Sequence, residues 1–387
     1  MSTDVGARQR TRLNAGGGKV LLLSMRGVAT LVAYCTLYEF EDVVAQVSGA
    51  DRIDVGDASL EFARRTYKLL RLGSCSRRLA QTLAVRPSTV RLERDYDLFL
   101  PVFNHPYELY ALQAVPEWRE RCRFAACFVS EVWEQYLPGY LLELLSRFDH
   151  VFIGMRHCIE DVRRVIGRPC SYLPVAIDVM RFSPWPAPIR RAIDVCNIGR
   201  RSAVTHAALL ELARARRLCY YFDTFAAGAG SHARDRTFHV RNCQEHRLLL
   251  ANLLRCSRYY IANRSRVNQP DVTGAREEIS YRFYEGAAAG TVMLGEPPET
   301  AAFREQFNWP DAVIRVPFDS ANIGEVLAGL DADPERLERA SRTAAAQAAR
   351  RHDWVHRLGV VFDTFGLQKT PGMIEREQRL EALAQMS

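Results

Sequence analysis

The sequence predicts an α/β protein of two domains that face a central cleft, followed by a helical C-terminal tail. Short apolar runs with the length of buried strands alternate with helical stretches along most of the chain. Such alternation is typical of mainly parallel sheets covered by helices on both faces. The 387 residues exceed one typical core and suit two domains. A proline-rich segment at 182–188 interrupts the alternation near the middle of the chain.

In the first half, the predicted elements follow one another in strand–helix order. Residues 19–25 contain the first continuous apolar run, which predicts a buried strand. Residues 60–72 place their apolar side chains on one helical face. The remaining predicted elements are strands at 96–103, 124–129, 150–153 and 170–173, and helices at 106–114, 141–148 and 159–166.

The segment 182–188 holds three prolines, which break both helix and strand, and it predicts an interdomain hinge. Beyond it we predict strands at 192–198, 218–222, 258–262, 291–294 and 312–317, helices at 205–216, 243–254 and 280–289, and tail helices at 334–351 and 373–385. The predicted divisions are a flexible arm at 1–17, a first domain at 18–184, a second domain at 185–350 and a tail at 351–387. In such folds a ligand binds in the cleft, at the carboxyl ends of the strands.

Composition indicates a globular protein with 48% hydrophobic and 25% charged residues. No apolar run is long enough to cross a bilayer, and the N-terminal stretch has no apolar region typical of a secretory signal. The ten cysteines show no paired spacing that would predict a zinc site or a disulfide framework. We therefore expect a cytoplasmic protein with free thiols and no bound metal.

The net charge is +7, and nearly all of the positive charge is arginine, since the chain has only three lysines. Arginine holds phosphate through two parallel hydrogen bonds, which suits a nucleotide or an anionic lipid. A GC-rich genome, which encodes arginine in place of lysine, would produce the same bias. The charge is too evenly spread to predict a nucleic-acid partner.

The segment 276–290, which reads REEISYRFYEGAAAG, carries the clearest functional pattern. Glu277 and Glu285 have seven residues between them, the first in a loop and the second inside a predicted helix. The first N–H groups of a helix lack partners within it and attract anionic oxygen. A carboxylate at each end of that region would bracket a phosphorylated, hydroxyl-rich ligand, and a nucleotide sugar is the obvious candidate.

This segment and two others resemble glycosyltransferases of the GT-B architecture, which has two Rossmann-like domains, and particularly the large retaining family four. That family's donor site has a glutamate, seven residues, and a second glutamate followed by small residues and glycine, as Glu277 and Glu285 to Gly290 have here. Its donor domain opens with a strand ending in Gly-Arg, here Gly199-Arg200. Its hinge carries Leu-Pro, Asp and Phe-x-Pro, as residues 173–184 do.

The sequence departs from the family pattern at two places. Ile279-Ser280 stands where the family usually has Phe-Gly, and no lysine follows Gly199-Arg200 to hold the diphosphate. One or more arginines would take over that task; the candidates are Arg200, Arg201, Arg264 and Arg266.

The resemblance implies transfer of a sugar from a nucleotide-sugar co-substrate, with retention at the anomeric carbon and with no metal or other cofactor. Arginines and the helix N-terminus would stabilise the leaving diphosphate. Glu277 would face the sugar as a catalytic residue, and Glu285 would accept hydrogen bonds from the ribose. The residues expected to contact the donor are Gly199, Arg200, Arg201, Arg264, Arg282 and Glu285.

Candidates on the acceptor side follow two predicted strands of the first domain. His105 comes just after the strand at 96–103, where it would contact the donor sugar or the acceptor as a second catalytic residue, or cap the next helix. Glu131 and Trp133 follow the strand at 124–129, and either bind the acceptor or pack in the loop. Two alternatives stay open: an inverting GT-B transferase with Glu131 or His105 as base, and a non-catalytic nucleotide-sugar or anion-binding protein.

The stretch 64–94 is basic and carries an apolar helical face, which predicts either a solvated surface or contact with an anionic membrane at its inner face. In the second case the unidentified acceptor would be lipid-linked; otherwise another small molecule is expected.

Overall fold

The computed structural model describes residues 20–55, 89–133, 137–187, 190–223, 240–274 and 276–387. The predicted arm at 1–17, the predicted helix at 60–72 and most of the basic stretch at 64–94 lie outside these residues. Within the described part, the chain forms two parallel sheets, each covered by helices. The predicted two-domain α/β class is therefore confirmed.

The first sheet has six strands in the order β2-β1-β3-β4-β5-β6, all parallel. They are β1 (Val20–Ser24), β2 (Asp51–Asp54), β3 (Tyr96–Phe103), β4 (Cys122–Val129), β5 (His150–Ile153) and β6 (Cys170–Tyr172). The central strands read as near-continuous apolar runs because both faces of a parallel sheet are covered. Leu22, Leu100 and Phe128, for example, are fully buried.

The second sheet has five parallel strands in the order β11-β10-β9-β7-β8. They are β7 (Ile193–Asn197), β8 (Tyr220–Phe222), β9 (Ser257–Ile261), β10 (Val292–Gly295) and β11 (Ile314–Arg315). The first sheet ends at Tyr172 and the second begins at Ile193. The described residues of the predicted hinge that follow Phe182 contain neither helix nor strand.

Helices connect the strands in both domains. In the first half they are α1 (Cys35–Ser48), α2 (Trp118–Arg121), α3 (Gly139–Leu145), α4 (Ile159–Ile166) and α5 (Val179–Phe182), with 3₁₀ helices at Val32–Tyr34, Pro106–Ala114 and Arg156–Cys158. In the second half they are α6 (Ala203–Arg214), α7 (Cys243–Arg255), α8 (Pro270–Thr273), α9 (Tyr281–Ala288), α10 (Ala301–Gln306), α11 (Ile323–Asp331), α12 (Pro334–Arg351), α13 (Trp354–Thr364) and α14 (Pro371–Met386).

The sequence analysis did not predict helix α1 and the short strand β2 in the first half, or helices α10 and α11 in the second half. Helix α1 buries Thr36, Glu39 and Glu41 together with its apolar residues, so its sequence lacks the clean polar face of a surface helix. The carboxyl of Glu41 accepts hydrogen bonds from Ser24 (2.6 Å) and from Arg26 (3.0 Å). Burial nevertheless raises the pKa of Glu41 to about 7. The polar partners lie elsewhere in the chain, and periodicity alone does not reveal them.

One apolar core continues from the first domain into the second. The ring of Phe40 in α1 packs 4.7 Å from that of Trp354 in α13 and 5.9 Å from that of Phe128 in β4. The same core includes Tyr284 and Ala287 of α9. The two sheets therefore share packed side chains and are not joined by a linker alone.

The C-terminal tail returns to the first domain, where α14 packs against α1. The hydroxyl of Thr370 donates to the carbonyl of Val47, and a Cβ at Gly372 would come 2.5 Å from that carbonyl oxygen. Arg376 is buried and bonds Asp178 (2.6 Å) and Asp353 (2.8 Å). The tail thus ties the end of the first domain to α13 through a buried ion cluster.

Removal of the Arg376 charge should destabilise the protein, because two buried carboxylates would lose their shared cation. Loss of one partner from a buried ion pair costs about 3–5 kcal/mol. We expect Arg376→Met to unfold at a clearly lower urea concentration, measured by tryptophan fluorescence. Arg379→Met is the matched control, since Arg379 is exposed on the same helix. Equal unfolding midpoints for the two variants would show that the cluster does not stabilise the fold.

Candidate active site

The cleft between the two sheets is lined by loops at the carboxyl ends of the strands. Ser130, which follows β4, shares a hydrogen bond of 2.8 Å with the hydroxyl of Tyr281 at the start of α9. His157, which lies beyond β5, bonds Glu278 through Nδ1 at 2.7 Å. Because both contacts join the first domain to the second, the N-terminus of α9 lies where the two domains meet.

Helix α9 occupies the position predicted from the sequence. Ser280 is its N-cap, and its hydroxyl accepts from the backbone N–H of Arg282 (3.3 Å). A Cβ at Gly286 would come 2.6 Å from the Met293 sulfur and 3.1 Å from the Tyr260 ring. The small residues of the motif therefore let this helix lie directly against β9 and β10.

Glu285 is buried inside this helix and is engaged by protein side chains. Its Oε1 accepts from Arg247 at 2.6 Å, and its Oε2 accepts from the hydroxyl of Tyr260 at 3.4 Å. Arg247 also bonds Glu39 of α1 at 2.9 Å. In this structure the carboxylate links α9, α7 and α1, and its predicted contact with a ribose stays a prediction.

Glu277 lies in the loop before α9 and is partly exposed. Its Oε2 accepts from the backbone N–H of Glu299 at 2.7 Å, and its Oε1 lies 3.4 Å from Arg264 Nε. Arg264 also pairs with Glu296. The two predicted donor residues Glu277 and Arg264 are thus neighbours, and the carboxylate keeps access to solvent.

Gly199 and Arg282 lie side by side at the carboxyl end of β7. Gly199 has a φ of +74°, and a Cβ there would collide with the Arg282 guanidinium. Only glycine allows this approach without strain. Among the described carboxylates, none forms an ion pair with Arg282. The guanidinium therefore presents charge at the N-terminus of α9, beside the contact between Tyr281 and Ser130.

The other residues of the Gly199 loop are already held by an acidic side chain. The N–H of Gly199 donates to Asp223 Oδ2 at 2.8 Å, and Arg201 pairs with Oδ1 of the same residue. Arg201 also lies over the Phe222 ring, 5.5 Å from its centroid. Arg200 lies in the same loop and is partly buried. The Asp223 carboxylate thus binds the Gly199 N–H and the Arg201 guanidinium, two groups that the sequence analysis expected to contact the nucleotide-sugar donor.

His105 lies in extended backbone just before the 3₁₀ helix Pro106–Ala114, and its ring stacks on that of Tyr107 with centroids 6.0 Å apart. Its side chain forms no cap hydrogen bond with that helix. The loop is held instead by buried Glu108, which accepts from the Asn104 N–H (2.9 Å) and from the hydroxyl of Tyr34. Burial raises the pKa of Glu108 to about 7.

Glu131 and Trp133 come together with Arg266 of the second domain. The indole N–H of Trp133 donates to Glu131 Oε2 at 2.7 Å, and Arg266 lies 3.4 Å from the same oxygen. The Arg266 guanidinium also lies 5.1 Å from the centroid of a Trp133 ring. The two predicted acceptor residues therefore form one cluster that bridges the cleft, and one predicted phosphate-binding arginine belongs to it.

The sequence analysis did not identify the pair of His157 and Glu278 as candidate site residues. Arg276 Nη1 lies 3.4 Å from His157 Nε2. Because a guanidinium can only donate, Nε2 accepts and Nδ1–H donates to Glu278, which fixes the tautomer. The Glu278 side chain is only 9% exposed, whereas that of His157 is 24% exposed. His157 lies beyond the carboxyl end of β5. His105 and Glu131 were selected because they follow a strand, and the same criterion would also have selected His157.

The described residues include neither a candidate metal site nor a candidate membrane-spanning helix. They contain no group of three or more His, Cys, Asp or Glu side chains placed to hold a metal ion. None of their helices combines the length and the apolar character needed to span a bilayer.

Residues 229–363 match a family model described as glycosyl transferase-like, and the match includes the whole of α9. No curated protein matches the chain. Among solved structures, the N-terminal domain of trehalose-6-phosphate phosphatase from Candida albicans aligns with a TM-score of 0.51 and 10% identity, over 92% of this chain and 98% of that chain.

A second similar structure is an alpha,alpha-trehalose-phosphate synthase (UDP-forming) from Burkholderia vietnamiensis. It aligns with a TM-score of 0.50 and 12% identity, over 91% of this chain and 99% of that chain. At such identities the likeness concerns the fold alone, and it confirms the predicted GT-B architecture. The narrower assignment to retaining family four stays a prediction. The chain has the GT-B fold, and its residues 229–363, which include the cleft-facing helix α9, are similar to glycosyl transferases.

The two motif glutamates should differ in their effect on stability. Glu285→Gln removes the negative charge that Arg247 contacts in the core, and a hydrogen bond to a charged group contributes about 1.5–3 kcal/mol. Glu277→Gln changes a partly exposed carboxylate and should leave the urea unfolding midpoint close to that of the unmodified chain. If both variants unfold alike, the structural role of Glu285 is wrong.

Proposed function

We propose that the protein transfers a sugar from a nucleotide-sugar donor to an acceptor bound in the cleft, with retention and without a metal. The observation that carries this proposal is Arg282, whose guanidinium lies against Gly199 at the N-terminus of α9. A cation that pairs with no described carboxylate, placed at the N-terminus of a helix, suits the diphosphate that leaves during such a reaction. The match of residues 229–363 to the glycosyl transferase-like model supports it.

The leaving group fits the arrangement around β7 and α9. The similar synthase is described as UDP-forming, and by analogy we propose a nucleoside diphosphate as the product here. Charge develops on this diphosphate as the glycosidic bond breaks, and Arg282 would stabilise it without reorganisation. Arg200 lies in the Gly199 loop beside this position and would add a second cation. A fixed cationic environment of this kind supplies the stabilisation for which other transferases use a divalent ion.

The sugar would lie between Glu277 and the loops of the first domain. Glu277 keeps exposed carboxylate surface while Arg264 and the Glu299 N–H hold its orientation. His105 would approach from the first domain, where Glu108 fixes the backbone of its loop. The cluster of Glu131, Trp133 and Arg266 would border the acceptor, since it bridges the cleft at the end of β4. A cytoplasmic location and membrane contact through residues 64–94 stay predictions.

A second candidate function is sugar transfer with inversion at the anomeric carbon, and the pair of His157 and Glu278 supports it. Inversion requires a base that removes the proton of the acceptor hydroxyl. His157 has its tautomer fixed by Glu278, so that Nε2 is the proton-accepting nitrogen. A carboxylate that orients a histidine and stabilises its charged form is a recurring arrangement for general bases. Arg276 would have to move from Nε2 before that nitrogen could act.

A binding panel tests the donor site. We expect one class among UDP-, GDP- and other nucleotide sugars to raise the thermal unfolding midpoint, because a ligand that binds only the native state stabilises it. Arg282→Ala should weaken that binding about 10- to 100-fold, which corresponds to one charge-assisted hydrogen bond of about 1.5–3 kcal/mol. Arg304→Ala is the control, since Arg304 is exposed on α10. Equal weakening in both variants, or no response to any nucleotide sugar, would contradict the proposed donor site.

The reaction itself is tested with the donor found in that panel. Product formed in the presence of EDTA should carry the anomeric configuration of the donor, as determined by NMR. Glu277→Gln should reduce turnover more than donor affinity, whereas His157→Asn should keep most of the turnover. Inverted product together with an inactive His157→Asn variant would establish the second candidate. Loss of activity on chelation that magnesium or manganese restores would refute metal independence. Donor binding without any transfer or hydrolysis would favour a non-catalytic binding protein.

A further inference from the structure

Asp223 lies where the chain leaves β8, beside the loop that follows β7. The two strands are parallel neighbours, and Asn197 is paired with Phe222 at their carboxyl ends. The register of the sheet therefore brings the next residues of both strands, Gly199 and Asp223, to the same edge. There the N–H of Gly199 donates to Asp223 Oδ2 at 2.8 Å. The fold itself thus places a carboxylate against this loop.

The second carboxylate oxygen of Asp223 pairs with Arg201. The Arg201 side chain is 11% exposed and lies over the ring of Phe222, whereas the Asp223 side chain is 26% exposed. The arginine is therefore held in place by packing as well as by its ion pair. The carboxylate has solvent beside it, into which it can turn by rotation of its own side chain.

The groups that Asp223 binds belong to the loop that leads from β7 into α6. The helix has Ser202 as its N-cap, and a glycine loop before a helix N-terminus is the usual place for a phosphate in an α/β domain. Arg282 borders the same loop, since its guanidinium lies where a Cβ of Gly199 would be. Asp223 therefore places a negative charge among the groups that face a diphosphate in the proposed donor site.

A diphosphate and the Asp223 carboxylate would compete for the same groups. A backbone N–H has a single hydrogen to donate, and that of Gly199 is given to Asp223. Two anions placed together at one site also repel each other. When Asp223 turns toward solvent, the Gly199 N–H and the Arg201 guanidinium become available together, and Arg201 joins Arg282 as a cation for the ligand.

We propose that Asp223 sets the affinity of the donor site for diphosphate by competing with the ligand for Gly199 and Arg201. This inference rests on the function proposed above. The carboxylate binds the two groups before the donor arrives, turns toward solvent when the diphosphate binds, and returns when the nucleoside diphosphate leaves. Release of product limits the turnover of many enzymes, so a side chain that weakens diphosphate binding favours turnover.

Removal of this charge should tighten diphosphate binding, whereas removal of a residue that binds the ligand would weaken it. In Asp223→Asn the amide oxygen still accepts from the Gly199 N–H, so the loop should keep its shape, but the ion pair with Arg201 is lost. We expect inorganic pyrophosphate to bind about 3- to 10-fold more tightly, because a partly exposed ion pair no longer has to be broken first. Asp223→Ala, which also frees the N–H, should bind at least as tightly as Asp223→Asn.

Isothermal titration calorimetry of the full chain with pyrophosphate measures this effect. Pyrophosphate is the part that all nucleoside diphosphates share, so the experiment does not depend on the identity of the base. Asp319→Asn is the matched control, since exposed Asp319 accepts a hydrogen bond from Ser202 at the N-terminus of α6 (2.5 Å) instead of binding Gly199 or Arg201. This control removes the same charge near the same helix end and should raise the affinity less than Asp223→Asn does.

Weaker or unchanged pyrophosphate binding in the two Asp223 variants would overturn the proposal, because the carboxylate would then order the loop for the ligand or play no part in binding. Equal gains in Asp223→Asn and Asp319→Asn would attribute the effect to overall charge and would also overturn it, as would the absence of binding to both the wild type and Asp223→Asn.

Arg282→Ala in the same titration separates this inference from the proposed donor site. Tighter binding in Asp223→Asn together with unchanged binding in Arg282→Ala would support the role of Asp223 and contradict the donor site proposed around Arg282. Weaker binding in Arg282→Ala without a gain in Asp223→Asn would support that donor site and refute the role of Asp223.

Discussion

The rest of the structure depends on Arg247, a buried guanidinium between Glu39 and Glu285. Burial disfavours its charge, but the two carboxylates outweigh that cost and raise the pKa of Arg247. Burial likewise raises the pKa of Glu39 despite the contact with Arg247. A charge so far from water is tolerated only when its partners are fixed in place. The cluster therefore requires α1, α7 and α9 to keep one mutual arrangement, and that arrangement sets how the two domains face each other.

The shape of the candidate site follows from this constraint. With α9 held against α7 and α1, Tyr281 reaches Ser130 of the first domain, and Arg282 comes to lie beside Gly199. Most other cleft arginines are already paired, as Arg201 is with Asp223 and Arg266 with Glu131. Arg282 differs because no described carboxylate neutralises it, and a phosphate would do so.

The sequence allowed the fold to be predicted better than the site. A continuous apolar run placed β3 at Tyr96–Phe103, since a strand buried on both faces needs no polar alternation. The small residues after Glu285 correctly placed a buried helix there. Helix α1 was missed because two of its buried residues are glutamates, so its apolar residues do not form the regular pattern expected of a helix packed on a core. At the candidate site, Glu131 and Trp133 were selected from their position after a strand, whereas His157, which also follows a strand, was overlooked.

By itself the sequence determined most of the strands and helices and their order, the proline-rich break in the middle of the chain and the positions of the motif glutamates. These are local properties, because periodicity, proline and capping residues act within a few positions of the chain. Only the tertiary structure decided what each charged group contacts. Glu285 meets Arg247 across 38 residues, His157 meets Glu278 across 121, and Arg247 meets Glu39 across 208. Such pairs form when separate elements pack together, and whether a glutamate contacts a ligand or an arginine depends on that packing.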